Sequence, residues 1–249
     1  MSAENATFYD TEQQIKSKQR VADHGEVFTA EREVNAMLDL VKQETERIDS
    51  TFLEPACGTG NFLVEILRRK LAVVRREYFP RRGSCHDYEL HAIKAVMSIY
   101  GVDLLQDNVE ACQTRLFTIF DEEYTSVCKG DASDAYREAV RYVLTQNILC
   151  GNALSMMKVD AKGQDTEDFI VFPEWSFPRN DSMVKRRDFR LDVLLKENGD
   201  EDNYDTFSLF DDDAMNLDLW EEDPVTKEMI PKPIREYPLI HYRRIAEHE

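Results

Sequence analysis

The sequence predicts an α/β protein built on a doubly wound, mostly parallel sheet, and three observations carry that expectation. Thr51 to Leu53 end a short β-branched and apolar run, as a buried parallel strand does. Gly58 and Gly60 follow, and Phe62, Leu63, Ile66, Leu67, Leu71 and Val74 then recur at helical spacing with basic residues between them. Two further apolar runs, Ser98 to Asp103 and Asn147 to Cys150, each follow a helical pattern and read as the second and third strands. Strand, glycine turn, helix is the nucleotide-binding corner of such sheets, because glycine lets the backbone approach a ligand closely.

The bulk properties bound the function classes. A chain of 249 residues accommodates one large domain, or a domain with an appendage. Hydrophobic content of 42% and aromatic content of 10% suffice for a packed core. No run of about 18 apolar residues occurs, so no membrane-spanning helix is expected. Met1 to Gln19 is polar and lacks the apolar region of a signal peptide. Cys57, Cys85, Cys112, Cys128 and Cys150 are odd in number and scattered, with neither a zinc spacing nor a secreted disulfide framework. A reduced, cytoplasmic protein is the expectation. His24, His86, His91, His241 and His248 also lack metal-ligand spacing, so no metal is expected.

Net charge is −18, which argues against a chain that grips DNA alone, since phosphate contacts need a basic face. Eleven of the acids fall between Asp200 and Asp223, where no Lys or Arg occurs; without them the balance is −7. Phe207, Leu209, Phe210, Leu217, Leu219 and Trp220 lie among those acids. The stretch reads either as a solvating disordered segment or as one that docks on a basic partner. Acidic mimicry of DNA is a third option.

Taken in order, residues 1–24 read as an entering helix with Ile15 and Val21 as its apolar anchors. Gly25 to Thr29 precede a helix over 30–47, with Thr29 as N-cap and Val34, Met37, Leu38 and Val41 as the apolar stripe. After the glycine-turn helix, Arg75, Arg76, Arg81, Arg82 and Gly83 mark a basic loop. A helix over 88–96 leads to the second strand, which ends in Asp103. An acid there either accepts hydrogen bonds from ribose hydroxyls at the switch point or caps the next helix. That helix runs through Ala111, Leu116 and Ile119, and another covers 136–144. The third strand ends at Gly151-Asn152-Ala153-Leu154, and Asp168 to Phe172 is the candidate fourth strand.

Glu54-Pro55-Ala56-Cys57-Gly58-Thr59-Gly60 resembles motif I of class I S-adenosylmethionine (SAM) methyltransferases, in the spelling of the N6-adenine DNA methyltransferases. Gly25-Glu26-Val27-Phe28-Thr29 resembles their motif X, Gly101-Val102-Asp103-Leu104 their motif II, and Gly151 to Leu154 their next corner. The resemblance spans about residues 20–155 and implies the class I, Rossmann-like methyltransferase fold. It implies that Phe28 and Thr29 close over the methionine end of SAM, and that Glu54, Ala56, Gly58, Gly60 and Phe62 form the glycine-turn side. Asp103 would hold the ribose and Leu104 the adenine ring. Asn152, with Ala153 beside it, stands where the family usually has Asp, and its carbonyl oxygen can still accept from the adenine amine.

The family's catalytic tetrapeptide, a polar residue followed by Pro-Pro and an aromatic, occurs nowhere in the chain. In that motif the polar groups orient the target amine and the aromatic stacks on the flipped base. Pro173-Glu174-Trp175 offers an aromatic without that core, and Trp175 reads either as a stacking group or as an interface tryptophan. Some 70 residues follow the fourth strand, with the basic cluster Lys185 to Arg190 and no room for a recognition domain. The expected organisation is thus an entering helix at 1–24, a SAM-binding domain at 25–180 and a basic and acidic appendage at 181–249. The expected function is the SAM-binding subunit of a split adenine DNA methyltransferase of restriction–modification type, active as a hetero-oligomer. A partner subunit would supply catalysis and DNA reading, and no catalytic residue is assigned to this chain. The alternatives are an independent methyltransferase on a small molecule or protein, and an inert acidic interaction protein that kept the fold.

Overall fold

The structure is a computed structural model that describes residues 20, 29–82, 84–179, 181–197, 219–222, 227 and 229–247, the side chains of 80–82, 196 and 197 excepted. The expected helix over 1–24, Phe28 and nearly all of the acidic stretch lie outside the described residues, Arg20 alone being described within a helix. Mixed α/β architecture is observed. Helices α1 (Glu31–Leu40) and α2 (Lys42–Thr45) lead into strand β1 (Phe52–Glu54). Helices α3 (Asn61–Arg82) and α4 (Cys85–Met97) connect β1 to β2 (Ile99–Asp103). Helices α5 (Gln106–Cys128) and α6 (Asp134–Asn147) connect β2 to β3 (Ile148–Cys150). The three strands form one parallel sheet in the order β1-β2-β3, with Leu53 beside Tyr100 and Val102 beside Leu149.

Alternation along the strands sorts their side chains onto two faces. Phe52, Ile99 and Ile148 face the main core, which contains Leu63, Leu67 and Leu71 of α3, Ile93 of α4, Phe120 and Tyr124 of α5 and Val140 of α6. This confirms the helical stripe of the glycine-turn helix, whose Leu63, Leu67 and Val74 are fully buried. Burying one such leucine is worth about 1.5–3 kcal/mol. Tyr100, Val102 and Leu149 face the other way and are covered by Ile170, Phe172 and Leu191. That second cover reaches β2 and β3 only, so Leu53 of β1 remains 37% exposed.

Beyond β3 the chain turns antiparallel. Strands β4 (Met157–Val159) and β5 (Asp165–Phe169) form a hairpin. Strand β6 (Val171–Ser176) pairs with β7 (Met183–Arg190), which is followed by α7 (Leu191–Glu197). Strands β8 (Trp220–Glu222) and β9 (Met229–Pro231) pair together, while β10 (Arg235–Glu236) and β11 (Ile240–His241) pair with β7. A 3-10 helix at Tyr242–Glu247 closes the described chain.

Several expectations change. The expected fourth strand is interrupted at Ile170, whose N–H donates to Met156 O and whose carbonyl accepts from Leu191 N, so the two flanking halves join different sheets. The expected helix over 30–47 breaks at Val41, whose N–H closes a tighter turn on Leu38 O. Ala30 stands at the N-cap instead of Thr29, and Met37 and Val41 are exposed at 54% and 46%, outside the buried stripe of Val34 and Leu38. The expected basic loop is helical through Arg82, with Arg75 paired to Glu123 of α5 and Arg76 to Glu77.

The described part of 181–249 is no appendage. Strand β7 pairs with the whole of β6 through Lys185 to Arg190, and Tyr242 and Ile245 lie in the main core. There Glu89 of α4, fully buried, accepts from Tyr124 OH at 2.5 Å, Tyr242 OH at 2.9 Å and Arg243 Nε at 2.8 Å. Nor are all cysteines reduced: Cys85, at the start of α4, and Cys128, at the end of α5, form a disulfide. Cys57, Cys112 and Cys150 are free.

Candidate functional site

The carboxyl ends of β1, β2 and β3 bring the candidate residues together. After Glu54 the chain leaves the sheet, and Cys57 N–H donates back to Val102 O at 2.9 Å. Gly58 and Gly60 adopt φ of +52° and +85°, a region costly for side-chain-bearing residues. Gly60 also has no space for a Cβ, which would lie 2.5 Å from Cys112 Sγ on α5. Its carbonyl accepts from Val64 N–H at 2.8 Å, which starts α3.

Asp103 ties this turn to the second strand. Its Oδ2 accepts from Gly58 N–H at 2.9 Å, and its Oδ1 accepts from Leu105 N–H at 2.9 Å and Asn108 Nδ2 at 3.1 Å. Both expected roles are therefore open to one carboxylate: it anchors the start of α5 and stands half-buried at the strand end, with one acceptor position left on Oδ2. Leu104 beside it is 40% exposed. Gly151 N–H donates to Asp103 O at 3.0 Å and so places the third corner next to the second.

Asn152 at that corner is already engaged. Its Oδ1 accepts from Leu154 N–H at 3.0 Å and its Nδ2 donates to Asp165 Oδ1 at 3.0 Å. Ala153 packs on the smaller apolar cluster, Phe62 on the main core, and Ala56 is exposed. Glu54 is half-buried, and desolvation pushes its carboxyl above the usual carboxylate range; no described residue forms an ion pair with it.

Four supporting residues were not among the expected site residues. Arg115 of α5 donates from Nη1 to Thr59 O at 2.6 Å, Thr59 Oγ1 at 3.0 Å and Asn61 Oδ1 at 2.8 Å. Asn61 in turn donates from Nδ2 to Thr29 O at 2.9 Å, which brings the segment before α1 to the glycine turn. Asn108 and Cys112 complete the support described above. Only Asn61 was within reach of sequence reasoning, through its place next to Gly60.

Other candidates resolve into structure. A hydrogen bond with Cys112, then burial, push the Cys57 thiol far up, which disfavours the thiolate that a nucleophile needs. Trp175 donates from Nε1 to Asn147 Oδ1 at 2.8 Å and has the Arg186 guanidinium 5.5 Å from its ring, which makes it an internal tryptophan. Arg186 is itself locked to Asp188 at 2.6 Å, both side chains being 8% exposed. Among the described residues no group of three His, Cys, Asp or Glu side chains is placed to hold a metal ion. No helix among them is long and apolar enough to cross a membrane. A groove between α3 and α5, lined by Arg68, Arg75 and Glu123, lies apart from the strand ends. Comparisons with family models, curated proteins and solved structures found no match.

Proposed function

We propose that this chain binds SAM across the carboxyl ends of β1 and β2 and serves as the cofactor-binding subunit of an N6-adenine DNA methyltransferase. A second polypeptide supplies the catalytic tetrapeptide and the reading of DNA. The observation that carries the reading is the single carboxylate of Asp103, bonded to Gly58 N–H while half-buried at a strand end. A doubly wound sheet binds a nucleoside at such a place, with an acid on the ribose hydroxyls and a glycine turn beside it.

The residues present fit the cofactor. Asp103 keeps one acceptor position, on Oδ2, for a ribose hydroxyl, Leu104 offers exposed apolar surface to a base, and Glu54 is an acid without a cationic partner among the described residues. When bound, SAM supplies a methyl group on a sulfonium centre. The chain's own work is to hold and orient: Asp103 fixes the ribose, Arg115 and Asn61 hold the turn, and Thr29 brings the entering segment to it. The restriction–modification setting follows from the motif resemblance alone.

Isothermal titration of the purified chain with SAM tests the pocket. Micromolar binding is expected, with no methylation of DNA by the chain alone and N6-adenine methylation once the partner is added. Strong methylation by the chain alone overturns the division of labour. One observation favours an inert interaction protein instead: the Asn152 side chain, the expected partner of the adenine amine, is held at both ends, accepting from Leu154 N–H and donating to Asp165, which leaves its oxygen a single lone pair. No SAM binding, with or without the partner, is the result that selects that reading.

A further inference from the structure

We infer that the outer edge of β1 is a docking seam that receives a parallel strand from a positively charged second polypeptide. The inference rests on the split-enzyme reading and names the surface where the two parts meet.

The argument starts from pairing. Phe52 N–H donates to Ser98 O at 2.9 Å on the β2 side. Because successive residues of a strand turn their backbone groups to opposite edges, the N–H and C=O of Leu53 point outward. Among the described residues no strand pairs with that edge. The edge carries no proline and its one charge is Glu54 at its end, and the strand is only three residues long, so the seam offers a short pairing surface.

Burial points the same way. Parallel strands are stable when both faces are covered. The cover formed by Ile170, Phe172 and Leu191 stops at β2 and β3, which leaves Leu53 37% exposed in the middle of β1. In a doubly wound sheet the strand carrying the glycine turn is interior, and the ligand crevice opens between it and its neighbour in the other half. Here that strand is the edge, so the crevice has one wall from β2 and an empty place on the other side.

Charge selects the occupant. A second copy of this chain also carries −18, and two-fold pairing of identical edges would run antiparallel and bury Leu53 against Leu53 beside like fields. A basic polypeptide meets no such repulsion and supplies the positive face that DNA binding needs. At the carboxyl end of the seam Glu54 stands half-buried, its proton affinity raised by burial, which suits a cation brought by the partner.

The test uses the tagged full chain expressed in the organism that encodes it. A co-purifying polypeptide counts only if mass spectrometry shows a polar-Pro-Pro-aromatic tetrapeptide and a net positive charge. Leu53→Pro removes the outward N–H and fixes φ at an edge position, where proline is tolerated, and Leu53→Lys sets a charge on the seam. Each is expected to lower recovery at least tenfold while circular dichroism stays that of the wild type. Hydrogen exchange at the Leu53 amide is expected to be fast in the free chain and protected in the complex, a readout that survives even if a variant misfolds. Undiminished recovery with folded variants, or an unprotected Leu53 amide, overturns the seam and leaves the split enzyme standing. Recovery of no such polypeptide with the wild type overturns both.

Discussion

Replacing Asp103 with Asn probes the site most directly. The carboxylate accepts from Gly58 N–H at 2.9 Å on one oxygen and from Leu105 N–H at 2.9 Å and Asn108 Nδ2 at 3.1 Å on the other. Asparagine keeps the shape but has one accepting oxygen and one donating NH2. Whichever way the amide turns, that NH2 meets a donor, either Gly58 N–H or the Leu105 and Asn108 pair. A bond to a charged acceptor contributes about 1.5–3 kcal/mol, and an unmet donor costs about 1–3 kcal/mol. Half-burial lets water relieve part of this, so unfolding free energy is expected to fall by about 1–2 kcal/mol. A comparable loss on the ligand side weakens SAM binding by roughly 5- to 30-fold, at about 1.4 kcal/mol per tenfold. Calorimetric titration with SAM and urea unfolding of the same preparations measure the two effects separately. A variant that binds SAM within twofold of the wild type refutes the ribose role of Asp103. One with an unchanged unfolding midpoint refutes the weight given to its three bonds.

Other expectations follow from groups outside the site. Arg243→Ala removes the cation on fully buried Glu89 while two tyrosine hydroxyls remain; because Arg243 is 36% exposed, a loss of about 2–3 kcal/mol is expected, below the range for a wholly buried pair. An unfolding curve that moves by less than about 0.5 kcal/mol would contradict this. Burial lowers Lys70 to about 7, although its ammonium donates to Ile48 O at 3.1 Å, Ser98 Oγ at 2.6 Å and Ser50 O. In the unfolded chain the same lysine titrates near about 10.4, so above pH 7 the unfolded state holds more protons and stability rises with pH. Between pH 7 and 9 the wild type should gain stability that Lys70→Met does not; parallel slopes in urea titrations would show that Lys70 is charged in the folded state.

Local order was legible and distant pairing was not. The buried face of α3 followed from 3.6-residue spacing, and the acid ending β2 from an apolar run closed by Asp103. Both depend on neighbours in the chain. The break at Ile170 depends on Met156 and Leu191, which claim its backbone from two sides, and an apolar run from Phe169 to Phe172 gives no sign of it. Arg81 and Arg82 suggested a loop because basic clusters are usually solvated, yet α3 continues through them with Arg75 held on Glu123. Glu89 and Arg243 stand 154 positions apart, and no pattern in either segment announces the other. The site divides in the same way. Gly58, Gly60 and Asp103 are marked by residue type and place, whereas Arg115 is one basic residue on a mixed helix until folding brings it to Thr59.

The Cys85–Cys128 link has a topological consequence for the reagent used in any of these experiments. It closes a covalent ring across a separation of 43 residues, and that ring contains the whole of β2, Asp103 and Cys112. On a chain-entropy basis such a closure restricts the denatured ensemble by about 4 kcal/mol at 25 °C. Oxidised and thiol-treated preparations are therefore two proteins with one sequence: in the first, the loop bearing Asp103 stays tethered when every other contact has melted. Electrophoresis without reductant separates the two forms by hydrodynamic size, and every stability measured on this chain belongs to one of them.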